Sequence, residues 1–200
     1  MYKKYIAEYF GTLTLTLVVL LSLAGSFPVP TPILAGITLA LFVYSVGHIS
    51  GTHINPAVTI GLWSIKKIKT NEAMSYVISQ ICGAVSALVL ALVMDKTYTI
   101  TASNDILVGL AEMAGMILFT FGIASVVFGK VSNAVSGVMI GTSLFMGISI
   151  AVLMGSNGVL NPAVALGIRS FSLMYLLGPI VGSIIGMKLY ATLQDDQDSK

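Results

Sequence analysis

Asparagine, proline and alanine occur in that order twice, at Asn55-Pro56-Ala57 and at Asn161-Pro162-Ala163. Asn is a favoured helix N-cap because its side-chain oxygen accepts from the first free backbone N–H groups, and Pro suits the first helical position because the N–H it lacks would be unpaired there. An apolar run follows each triplet, so each marks a helix start, with the positive end of the helix dipole and a donor-bearing amide at its tip. Such a tip makes and breaks no bonds. It orients the oxygen of a small neutral molecule and opposes cations. His48 and His53 lie just before the first triplet; either could switch the site by gaining charge, or both could be held by hydrogen bonds within the local fold.

Bond-making chemistry needs a nucleophile with a base, or a metal set. With two histidines and the single cysteine Cys82, the chain offers neither, so no enzymatic activity, cofactor or metal is expected. A net charge of +2 is too small for a nucleic-acid partner.

The elements that position these triplets follow from composition. Hydrophobic residues make up 56% of the 200 and charged ones only 9%, against about 25% charged in a soluble domain. Apolar segments of spanning length lie near 5–25, 32–50, 73–94, 107–129, 134–154 and 171–193, which gives an all-α bundle of six transmembrane helices whose partner is membrane lipid. Two more apolar segments, 56–65 and 162–169, begin at the triplets and reach only about half of a hydrocarbon core roughly 30 Å thick.

Basic residues favour cytoplasmic loops. With both termini cytoplasmic, Lys3, Lys4, Lys66, Lys67, Lys69, Lys130, Lys188 and Lys200 lie inside, and only Lys96 and Arg169 lie outside. The tail Asp195, Asp196 and Asp198 reads as a solvated end.

The two halves repeat. Ala7-Glu8-Tyr9-Phe10-Gly11 matches Ala111-Glu112-Met113-Ala114-Gly115, and the Glu-to-Asn spacing is 47 in one half and 49 in the other. Each half holds three spans, so the second copy is inverted, and the chain forms one domain, 1–200, of halves about 1–100 and 101–200. Inversion sends the short helices in from opposite faces to meet tip to tip near the midplane. Non-helical backbone at that depth is tolerated only when buried in protein or lining a wet cavity, which predicts a water-filled pore beside the tips. Two other functions suit such a bundle: a secondary transporter, which needs ionisable groups at its site and two alternating states, and a scaffold that conducts nothing.

The sequence resembles the major intrinsic protein family, the aquaporins and aquaglyceroporins, over nearly its whole length. The resemblance rests on Ala7-Glu8-Tyr9-Phe10-Gly11-Thr12, on the run from Gly47 to Thr59 that contains His48-Ile49-Ser50-Gly51-Thr52-His53, on Asn161-Pro162-Ala163 and on Gly178-Pro179-Ile180-Val181-Gly182. It implies a homotetramer with one pore per subunit, passive two-way permeation, and residence in the cell membrane. It also implies that Glu8 and Glu112 anchor the two pore loops, a role consistent with the cost of a carboxylate inside a span.

The family's filter usually has an Arg three residues after the second Asn, where this chain has Val164. Arg169 stands about 140° further round the same short helix and cannot simply substitute. The inferred filter is Ala35, Ser149, Gly158 and Val164, small and uncharged, with Asn157 as an alternative loop contributor. This set implies a constriction open to water and to glycerol, urea, ammonia or hydrogen peroxide, with protons and ions still opposed by the helix tips.

Overall fold

A computed structural model describes residues 2–25 and 27–198, with side chains through Gln194; Lys200 and the side chains of Asp195, Asp196 and Asp198 lie outside the described residues. Eight helices follow in chain order: α1 (Lys3–Ala24), α2 (Thr31–Ser50), α3 (Pro56–Ser64), α4 (Thr70–Val93), α5 (Ile106–Val127), α6 (Asn133–Leu153), α7 (Pro162–Gly167) and α8 (Leu173–Asp198). No strand occurs among the described residues. Six of the helices, α1, α2, α4, α5, α6 and α8, are long and apolar enough to cross a membrane. The all-α, six-span architecture read from the sequence is therefore the observed one.

The helix ends have local causes. Pro32 enters α2 in its first turn, and Gly51 closes it at φ 81, a left-handed conformation that glycine adopts without a Cβ clash. The short helices α3 and α7 begin at Pro56 and Pro162, as the triplets dictate. Helix α7 ends sooner than its apolar run. Ile168 caps it, and Arg169 turns to φ 57, so Arg169 lies in the turn beyond the helix and not on it as the sequence reading had it.

Contacts between helices follow the repeat. α1 packs on α4 as α5 packs on α8, and α2 crosses α6 between the two halves. These approaches require glycine. A Cβ on Gly83 would stand 2.3 Å from the Tyr9 carbonyl oxygen, and one on Gly182 would stand 2.4 Å from that of Met113. Where α2 meets α6 the contact is reciprocal: a Cβ on Gly36 would lie 2.6 Å from the Gly141 oxygen, and one on Gly141 2.4 Å from the Gly36 oxygen. Dispersion at such short backbone separations holds a bundle together where apolar burial from water supplies no drive. Helices α3 and α7 touch each other and pack inside this cage, α3 on α4 and α8, α7 on α4 and α1.

Candidate functional site

The tips of α3 and α7 are built on the same plan. Asn55 is extended at φ −158, and its Oδ1 accepts from the Ala57 N–H at 2.9 Å. Asn161 is extended at φ −146, and its Oδ1 accepts from Ala163 at 3.0 Å and Val164 at 3.3 Å. Each cap satisfies backbone donors that the first helical turn leaves free. The amide nitrogens do something the sequence did not announce. Asn55 Nδ2 donates to the carbonyl of Leu160 at 2.9 Å, and Asn161 Nδ2 donates to the carbonyl of Ile54 at 3.0 Å. Each tip is thereby bonded to the residue before the other tip. An amide nitrogen carries two hydrogens, so one remains on each Asn for a third party.

The loops that deliver the tips are held by the two intramembrane carboxylates. Glu8 accepts from Ser50 Oγ at 2.7 Å, from the His53 and Ile54 N–H groups at 2.9 and 2.7 Å, and from Gln80 Nε2 at 2.7 Å. Glu112 accepts from Ser156 Oγ, and from the Val159 and Leu160 N–H groups at 2.9 and 2.6 Å. Both side chains are fully buried, and a carboxyl at that depth is tolerated only with such a set of hydrogen-bond donors. The bonds also hold strained backbone: Ile54 at φ 39, a costly angle for a β-branched residue, and Leu160 at φ 51.

These bonds fix the direction of the carbonyls. In a trans peptide the C=O opposes the next residue's N–H. With the N–H groups of Val159 and Leu160 turned onto Glu112, the carbonyls of Gly158 and Val159 point the other way, and both residues line a cavity.

Two cavities flank the tips. The distal one, on the side of the α1–α2 connection, has a volume of about 290 Å³ and is bordered by Asn55, Asn161 and His53. The proximal one, on the side where α1 begins, has a volume of about 510 Å³ and also reaches His53. The two cavities share His53 as a lining residue, and the two amides border the distal one.

The distal wall is aliphatic on several sides. Leu15, Val19 and Leu23 form a stripe of α1 at every fourth residue, and Leu144, Ile148 and Val152 form its counterpart on α6. Ala35 and Leu39 of α2 and Val164 of α7 add to it, and Phe119 of α5 contributes an aromatic ring. The proximal wall is polar by contrast, with His48, Thr52, Lys67, Asn133 and Ser136.

Of the four residues read from the sequence as a filter, Ala35, Gly158 and Val164 line the distal cavity. Ser149 is not among its lining residues, and its hydroxyl donates back to the Phe145 carbonyl at 2.8 Å. Ile148 occupies the wall instead. One residue of a helix is about 100° of rotation, so a register error of one removes a side chain from the wall. Arg169 is exposed and also lies off the wall, whereas Asn157 lies on it, its Nδ2 donating to the buried Tyr175 hydroxyl at 2.7 Å.

His53 is buried, its Nδ1 3.1 Å from Thr59 Oγ1, which in turn accepts from Gln80 Nε2 at 3.0 Å. That network fits the reading of a histidine held by the local fold. Its second-half counterparts by alignment, Val159, Ala165 and Pro179, are apolar. His48 is exposed on the proximal wall. No group of three His, Cys, Asp or Glu side chains is arranged for a metal among the described residues.

The family model described as major intrinsic protein matches residues 1–190. Among curated relatives, Aquaporin Z of Bradyrhizobium diazoefficiens is 29% identical, with 97% of this chain and 94% of that protein covered. Aquaporin AqpM of Methanothermobacter thermautotrophicus is 28% identical, covering 97% and 98%, and Aquaporin NIP1-1 of Arabidopsis thaliana is 28% identical, covering 96% and 74%. Among solved structures, the aquaglyceroporin from Plasmodium falciparum superposes with a TM-score of 0.68 at 20% identity, covering 98% of this chain and 96% of that one, a likeness of fold. The caps, the buried carboxylates and the match along nearly the whole chain agree: this protein belongs to the major intrinsic protein family, the aquaporin family of integral membrane channels, and is not an enzyme.

Proposed function

We propose that the chain is a passive channel for water and small neutral solutes such as glycerol, urea, ammonia or hydrogen peroxide, which excludes protons and ions. The observation that carries this is the pair of opposed helix tips, each with one amide N–H left over, between two cavities that approach each other at His53. Each tip presents the positive end of a helix dipole in a poorly screened setting, which repels cations and hydrated protons. The free amide hydrogens at Asn55 and Asn161 offer donors to a passing oxygen, so a file of water is oriented where it crosses the midplane. Ala35, Ile148, Gly158 and Val164 border the distal cavity, and none is aromatic or charged.

On this reading Glu8 and Glu112 anchor the loops, both termini are cytoplasmic, and the distal cavity opens outward from the cell membrane. One domain of two inverted halves, about 1–100 and 101–200, makes one pore, and four subunits assemble as a homotetramer. Stopped-flow light scattering on proteoliposomes tests the channel. Sucrose gradients should give water flux above empty vesicles, with weak temperature dependence and no saturation. Saturable flux coupled to an ion gradient would make the protein a transporter.

A further inference from the structure

Building on the channel reading, we infer that the proximal cavity is a binding site for a small phosphate-type oxyanion, held by Lys67, Asn133 and His48, whose occupancy shuts the channel. These three side chains come from three separate parts of the cavity wall: His48 from α2, Lys67 from the connection after α3, and Asn133 from the first turn of α6. An anion that draws on all three sits inside the ring of helices, between bulk water and His53, where a permeating solute must pass.

The balance of charge and donors in the cavity favours an anion. Among the described residues, no carboxylate lines it, and Glu72, the acid in the first turn of α4, is paired with Lys4. The Lys67 ammonium lies 4.5 Å from the centroid of the Phe128 ring, an attraction that keeps its charge at the cavity wall. Phe128 is itself backed by Tyr190 of α8, with ring centroids 5.7 Å apart. The hydroxyls of the wall are spent as donors: Thr52 gives its hydrogen to the Phe42 carbonyl at 3.1 Å, Ser136 to that of Asn133 at 3.0 Å, and Tyr44 to that of Ala134 at 3.1 Å. The Lys67 ammonium, the Asn133 amide and one N–H of the His48 imidazole are left to face a ligand. An oxyanion accepts from all three and neutralises Lys67, which a neutral solute cannot do. Val58, Leu62 and Ile140 make the rest of the wall apolar, and a charge that moved onto them would lose its partners, so the anion stays at Lys67.

The probe is inorganic phosphate, with chloride at matched ionic strength as the control. Osmotic water permeability is measured in phosphatidylcholine proteoliposomes holding the same anion on both sides, with empty-vesicle flux subtracted. Melting temperature is measured in detergent with each anion. Phosphate should lower water flux several-fold, saturably, and raise the melting temperature relative to chloride, as a ligand of the folded state does. Lys67→Gln and Asn133→Ala should each weaken both responses, whereas Lys96→Gln, beyond the far end of α4, should keep them. Water flux indifferent to phosphate, a chloride effect of equal size, or an undiminished response in Lys67→Gln would overturn the site while leaving the channel intact. Inhibition that needs an anionic phospholipid in the vesicle would give the mouth to a lipid headgroup and overturn the site as well. Absence of water flux in phosphate-free vesicles would overturn the channel reading and the occlusion with it.

Discussion

Asn55 donates its side-chain amide to the carbonyl of Leu160 at 2.9 Å, so the cap of the first short helix is also a tie to the loop of the second. The reciprocal bond from Asn161 to Ile54, at 3.0 Å, makes the two tips one unit.

That coupling predicts what replacing one cap does. Asn55→Ala removes the acceptor for Ala57 and the donor to Leu160 together. The lost cap costs about 0.5–2 kcal/mol, and the buried carbonyl left unpaired costs about 1–3 kcal/mol more. Thermal unfolding in detergent should show a clear drop. Asn55→Asp keeps the acceptor for Ala57 but sets a second oxygen against the Leu160 carbonyl, so it should be destabilised at least as much as Asn55→Ala while admitting more cation current in planar bilayers.

The two carboxylates should respond alike. Glu8→Gln or Glu112→Gln turns an acceptor oxygen into an amino group that faces N–H donors. At least one buried donor is left unpaired, at about 1–3 kcal/mol, and the loop keeps only one of its two carboxylate acceptors. Yield of monodisperse protein and melting temperature should fall for both variants, and water flux per folded protein should fall with them.

Helix phase on α6 gives a sharper contrast. Ile148→His puts an imidazole on the distal wall and should cut glycerol flux at least several-fold while water still passes. Ser149→His, one position on, should leave both fluxes close to wild type, because Ser149 does not line the cavity. Equal effects of the two substitutions would contradict the wall described here.

Packing at the crossing of α2 and α6 yields a stability prediction. Gly141→Ala would bring a methyl to 2.4 Å from the Gly36 oxygen. Backbone must move, and overpacking of this kind costs about 1–3 kcal/mol. A lowered melting temperature in detergent is the expected readout.

What could be read from the sequence was local or set by length. Asn-Pro at 55–56 and 161–162 announces a helix start without any neighbour, and a run such as 107–129 announces a span by its length alone. The inverted order of the halves followed from counting spans, and the burial of Glu8 and Glu112 from their place within them. What stayed hidden depended on rotation or on distant partners. Ser149 and Ile148 are adjacent in sequence and about 100° apart on the helix, so counting from a distant motif chose the wrong one. The bond from Asn55 to Leu160 and that from Asn157 to Tyr175 join residues far apart in the chain, and no spacing encodes them. Arg169 was placed on α7 because its apolar run continues, whereas the backbone turns left-handed at that residue.

The most direct test of a pore beside the tips uses a thiol at its mouth. Val152 lines the distal cavity and is 47% exposed, while the native Cys82, on α4, does not line it. Osmotic water permeability of Val152→Cys proteoliposomes is measured before and after labelling from the distal side with a bulky, water-soluble methanethiosulfonate. The account predicts flux well above empty vesicles that collapses on labelling, with wild-type protein unaffected. Flux at the level of empty vesicles, or flux undiminished after complete labelling, would contradict it.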